Sequence, residues 1–79
     1  MTAQEMFEKL GYVKTYHDEY EIVYSLYIGN EKVAEIEFDL SVQTFYCSYD
    51  KSIMEVSMNV LKAINQQCKE FDWIEENAR

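Results

Sequence analysis

Apolar residues follow two rhythms along this chain, and the changes between them divide it into six segments. Ala3, Met6, Phe7 and Leu10 recur at three- and four-residue steps, the spacing of one helix face. Thr2-Ala3-Gln4-Glu5 precedes that face with the T-x-x-E form of a capping box, in which the Thr hydroxyl and the Glu carboxylate satisfy free N–H groups of the first turn. Gly11 stops the helix, because glycine takes a left-handed conformation at little cost. A short helix is thus predicted over residues 3–10, and at two turns it must dock on something to persist.

The period then drops to two. Tyr12-Val13-Lys14-Thr15-Tyr16 is β-branched and aromatic and predicts a strand, and His17-Asp18-Glu19 predicts a turn. From Tyr20 to Ile28, Ile22, Tyr24, Leu26 and Ile28 point one way while Glu21, Val23, Ser25 and Tyr27 point the other. Gly29-Asn30 is a two-residue hairpin signal. In the third strand Ala34, Ile36, Phe38 and Leu40 alternate with Glu35, Glu37 and Asp39, so one side is buried and the other wet. After a turn at Ser41, Val42 to Tyr49 gives a fourth strand, with Phe45, Cys47 and Tyr49 on one side and Val42, Thr44 and Tyr46 on the other.

The helical rhythm returns at Ser52-Ile53-Met54-Glu55, a second capping box. Ile53, Val56, Val60, Leu61, Ile64, Cys68 and Phe71 mark a long amphipathic helix over about residues 53–71. Trp73 is expected to fold back on the core, and residues 75–79 to form a frayed polar tail. Hairpin-length connections make the sheet an antiparallel meander, and two helices with one apolar face each belong on the same side of it. The expected fold is therefore α+β, a two-layer sandwich of order α-β-β-β-β-α, with one sheet face left open.

Composition narrows the picture. Seventy-nine residues make a single domain spanning 1–79, and twelve aromatic side chains supply much of its core. No apolar run approaches the ~18–20 residues of a membrane span. The polar, acidic start Met1-Thr2-Ala3-Gln4-Glu5 lacks the features of a secretion signal, which points to the cytoplasm and to reduced thiols at Cys47 and Cys68. Fifteen acids against seven bases give a net charge of −8. That balance opposes direct binding to nucleic acid or to an anionic membrane, both of which call for clustered Lys and Arg.

Candidate chemistry is sparse. His17 beside Asp18 lacks a nucleophile and a pocket, which acid–base catalysis requires. One His and two distant Cys do not match the ligand spacing of a zinc site, and both Cys fall at core-facing positions. Glu35, Glu37 and Asp39 lie roughly 7 Å apart along one strand face, without the concavity that paired carboxylates need to hydrolyse glycosides or hold a cation. Met54 and Met58 are read as packing on the sheet or the first helix. No catalytic residue, cofactor or metal ligand is expected. What remains is the open sheet face, where Val23, Tyr27 and Tyr46 sit among Glu35, Glu37 and Asp39, with Glu21, Val33 and Val42 nearby. Tyrosines set among charges are a composition common in protein-binding surfaces.

The opening Thr2-Ala3-Gln4-Glu5-Met6-Phe7-Glu8-Lys9-Leu10-Gly11-Tyr12 resembles that of short proteins encoded by phages and prophages of Gram-positive bacteria. So does Leu61-Lys62-Ala63-Ile64-Asn65-Gln66-Gln67-Cys68-Lys69-Glu70 with Trp73 shortly after. The resemblance covers roughly a third of the chain, mostly helix-core positions; it implies a phage or prophage origin and no activity. The expectation is a small non-catalytic accessory protein that binds a host or phage protein through its open sheet face. Two alternatives stand beside it: an acidic mimic of DNA that occupies a nucleic-acid-binding or defence protein, and a structural homo-oligomer such as a homodimer.

Overall fold

The structure is a computed structural model, and it describes residues 1–49 and 56–74. Its elements follow one another as α1 (Ala3–Lys9), β1 (Tyr12–His17), β2 (Glu21–Ile28), β3 (Glu31–Asp39), β4 (Thr44–Tyr49) and α2 (Met58–Glu70). The four strands form one antiparallel sheet in the order β1-β2-β3-β4, a meander. Both helices pack on one face of it, giving the expected two-layer α+β sandwich.

Local chemistry sets the boundaries. Thr2 caps α1 through the full capping box: its hydroxyl accepts from the Glu5 N–H at 3.2 Å while the Glu5 carboxylate accepts from the Thr2 N–H at 2.8 Å. Gly11 ends the helix at φ +95°, where a Cβ would lie 3.1 Å from Leu26 Cδ1. The hairpin turn at Gly29-Asn30 has positive φ at Gly29 alone, the geometry that asks for glycine at the first central position. At the end of α2, Asp72 adopts φ +64°, the Trp73 N–H reaches the Cys68 carbonyl at 2.9 Å and the Asp72 N–H reaches that of Lys69 at 3.0 Å. This paired closure turns the chain so that Trp73 packs on the core, as its place after the helix predicts.

The core lies between the helices and the inner sheet face. Phe7 of α1 is fully buried, stacked on Tyr24 at a centroid distance of 4.1 Å and edge-on to Tyr12 and Phe38. Phe38 in turn meets Phe45, Phe71 and Trp73. Ile22, Ile36, Ala34 and, from α2, Val60, Ala63, Ile64 and Cys68 complete it. Each large side chain buried this way contributes about 1.5–3 kcal/mol. One hydrogen bond crosses the core: the Tyr24 hydroxyl donates to Gln67 Oε1 at 2.6 Å. Burial pushes the Tyr24 phenol up to about 12, so it stays a donor at neutral pH.

Three expectations are corrected. The last helix begins at Met58, with Ser57 as its cap accepting from the Val60 N–H at 3.2 Å, rather than near residue 53. The Ser52-Glu55 capping box, Ile53 and Met54 lie outside the described residues. Met58 and Leu61 are exposed, because the stripe that meets the sheet runs through Val60, Ile64 and Cys68. The fourth strand begins at Thr44; Val42 belongs to the preceding turn, which Gln43 closes at φ +58°.

Candidate functional site

Cross-strand partners in a sheet share a face, so the register fixes the composition of the open side. One row across all four strands reads Tyr16, Val23, Glu37, Tyr46. The next reads Val13, Ser25, Glu35, Ser48, and the row beyond the first reads Glu21, Asp39, Thr44. Glu35, Glu37 and Tyr46 are thus brought together as expected, with Val23 in their midst. Tyr46 bridges the two acids, its hydroxyl donating to Glu37 Oε1 at 2.9 Å and lying 3.4 Å from Glu35 Oε2. These bonds, chiefly the one to Glu37, push the Tyr46 phenol up to about 12.

Other expected members sit differently. Val23 is 8% exposed and Ser25 1%, so the central strand is the floor of this face and its neighbours form the accessible surface. The Ser25 hydroxyl lies 2.9 Å from that of Thr15. Tyr27 stands apart from the acidic rows, opposite Lys32 beyond an irregularity that leaves Val33 without a register partner. The carboxylate of Asp39 is drawn into the β3–β4 turn, accepting from the Ser41 N–H at 3.0 Å and the Ser41 hydroxyl at 2.7 Å, and these bonds lower its pKa. Glu35 also pairs with Lys32 at 2.5 Å.

Tyr16 joins the face without a signal in the sequence, and Glu21 takes a more central part in it than its alternation alone indicates. Tyr16 alternates with Tyr12 and Lys14, which puts it on the core side of a regular strand. A bulge at Thr15 shifts the register between Lys14 and Tyr16 and sets Tyr16 opposite Val23. Its hydroxyl donates to Asp18 Oδ2 at 2.7 Å. Glu21, at the edge of the same rows, has its carboxyl pushed above the ordinary value, first by partial burial and then by the negative charges of Glu37, Asp18, Asp39 and Glu35. Glu21 pairs directly with Asp39, which ties it to the alternating acids of β3.

The groups that could carry reactions are placed elsewhere. His17 ends β1, paired with Ile22 on the helix side of the sheet. The Asp18 carboxylate accepts from Tyr16 and from the backbone N–H groups of Tyr20 and Glu21. Cys47 and Cys68 are free thiols, each raised in pKa by burial. Among the described residues no group of three His, Cys, Asp or Glu is placed to hold a metal ion. Surface depressions lie beside the helices and the hairpin: one of about 310 Å³ is lined by Met1, Met6, Leu10, Lys9, Asn59 and Lys62, and a smaller one of about 210 Å³ runs from Lys32 and Val33 to Glu35 and Ser48 of the open face. No helix among the described residues is long and apolar enough to cross a membrane. No family model matches the chain, and neither a curated protein nor a solved structure matches it.

Proposed function

We propose that this is a small, non-catalytic accessory protein, of phage or prophage origin, that binds a basic surface of a host or phage protein through its open sheet face. The observation that carries the reading is the row Tyr16, Val23, Glu37, Tyr46, flanked by Glu35 and Glu21, on a sheet face that neither helix covers. A helix layer on one side only leaves an antiparallel sheet free to meet a partner with the other. Aromatic rings there supply contact area at low entropic cost, and the carboxylates supply sign selectivity and a faster encounter. After partial burial, the like charges of Glu37, Asp18, Asp39 and Glu35 add to the raised pKa of Glu21, and a cationic partner relieves that repulsion. Location in a bacterial cytoplasm belongs to the same proposal.

The test is a tagged pull-down from Gram-positive host lysate and from infected cells at low and high salt, with identified partners then purified and titrated. The expected partner is basic, binds more weakly as salt rises, and is lost in the double variant Tyr16→Lys, Tyr46→Lys, which changes both tyrosines of the row. Met58→Lys, on the opposite layer, leaves binding intact. A partner whose affinity ignores both salt and the double variant overturns the proposal.

A further inference from the structure

The two outer strands of the sheet are built differently. β1 carries a bulge at Thr15 and the charged Lys14, two devices that blunt a sheet edge. β4 carries neither. It runs beside β3 with an unbroken register from Asp39↔Thr44 to Ala34↔Tyr49. Its sequence Thr44-Phe45-Tyr46-Cys47-Ser48-Tyr49 has no charge, proline or glycine and is rich in residues that favour strands. Among the described residues no strand pairs with its outer side. Its inner side is also thinly covered: Phe45 is 45% and Tyr49 39% exposed, although both lie on the core face with Cys47.

We propose that a second copy of this chain pairs with β4, antiparallel and about a two-fold axis through Cys47, to make one continuous eight-stranded sheet. The pattern of the strand selects this occupant. Aromatic residues stand two positions either side of Cys47, so an antiparallel copy centred there places Phe45 opposite the copy's Tyr49, Tyr49 opposite its Phe45 and Cys47 opposite itself. That is the self-complementarity an isologous contact needs, and each aromatic pair caps side chains now half bare. The axis stands perpendicular to the sheet, because residues facing one another across a ladder share a face. Both helical layers then lie on one side and both acidic faces on the other, across a sheet roughly 38 Å wide at ~4.8 Å per strand. Stacking the sheets face to face would instead set Glu21, Glu35 and Glu37 against their own copies. Because each chain carries a charge of −8, the pairing tightens as salt is added.

Sedimentation equilibrium under reducing conditions, from about 5 to 500 μM protein, and cysteine cross-linking test this together. The expected result is a doubling of mass across that range, at lower concentration in higher salt. In the Cys68→Ser variant, oxidation by copper phenanthroline in air traps a covalent dimer through Cys47, since facing Cα atoms about 4.5–5.5 Å apart are within disulfide reach. The Cys47→Ser variant traps none. For the register, Tyr46→Cys and Ser48→Cys, each made in a Cys47→Ser, Cys68→Ser background, cross-link to each other faster than either does to itself. A chain that stays monomeric throughout overturns the proposal, as does a dimer in which Cys47 resists cross-linking or 46 and 48 show no preference for each other.

Discussion

The carboxylates of this protein divide by what holds them, and pH reads the division. Asp18 and Asp39 are lowered in pKa, first by the Tyr16 hydroxyl and by the Ser41 hydroxyl respectively. Such groups bind fewer protons folded than unfolded, so their stabilisation is present above the ordinary Asp range and is lost as pH falls through and below it. Glu21 is raised, mainly by burial and then by Glu37, so the folded chain binds its proton more readily and stability falls as pH rises through the region just above the ordinary Glu value. Thermal melts from pH 7 downwards should therefore show Tm rising slightly as Glu21 protonates, then falling as Asp18 and Asp39 do. Glu21→Gln should raise Tm at pH 7 and abolish the first rise, and an unchanged profile in that variant contradicts the assignment. In the core, stability depends on keeping a buried acceptor paired. Tyr24→Phe removes the donor to Gln67, which is 4% exposed, and leaves its amide oxygen buried without that bond. The expected cost is about 1–3 kcal/mol in urea denaturation, whereas the double variant Tyr24→Phe, Gln67→Leu should recover part of it.

At the scale of elements, the backbone conformations at helix ends make opposite predictions for two substitutions. Gly11 holds φ +95° with Leu26 3.1 Å from where a Cβ would sit, so Gly11→Ala should destabilise by more than ~1 kcal/mol. Asp72 occupies φ +64° with a side chain that the conformation does not favour, so Asp72→Gly should stabilise by roughly 0.5–1 kcal/mol. Urea melts of the two variants check both signs. These same elements show what the sequence made legible. Alternation at Ala34, Ile36 and Phe38 against Glu35 and Glu37 sets the register of β3, because a one-residue slip would bury acids. Thr2 and Gly11 bracket α1 by short-range chemistry that reads directly from residue type. The bulge at Thr15 does not read that way: an added residue changes parity without changing composition, so regular alternation from Tyr12 does not lead to the face on which Tyr16 stands. The start of α2 is a similar case. Apolar spacing carries the helix back through Val56, whereas Ser57 caps α2 and the stripe that packs on the sheet runs from Val60 through Ile64 to Cys68.

For the molecule as a whole, a small core and a large excess of acid set the margin. A domain of 79 residues is expected to be stable by roughly 4–12 kcal/mol. Phe7 touches Tyr12, Tyr24 and Phe38 and joins α1 to the sheet, so Phe7→Ala, at about 3–5 kcal/mol, should lower the urea midpoint by a quarter or more and abolish the transition at the low end of that stability range. Charge acts on a longer range. A net −8 with Glu21, Glu35 and Glu37 on one sheet face makes the folded chain repel itself, and counter-ions screen that repulsion within about 8 Å at physiological ionic strength. Adding sodium chloride should therefore raise Tm, strengthen pairing at β4 and weaken capture of a basic partner. The first two share a sign because each brings like charges together, and the third is opposite because it neutralises them. Replacing Glu35 and Glu37 with Gln separates these effects. The double variant should lose most of the salt dependence of partner binding while β4 pairing, which rests on an uncharged strand, persists and needs less salt. If partner binding kept its full salt dependence in that variant, the acids of β3 would not be the charges the partner meets.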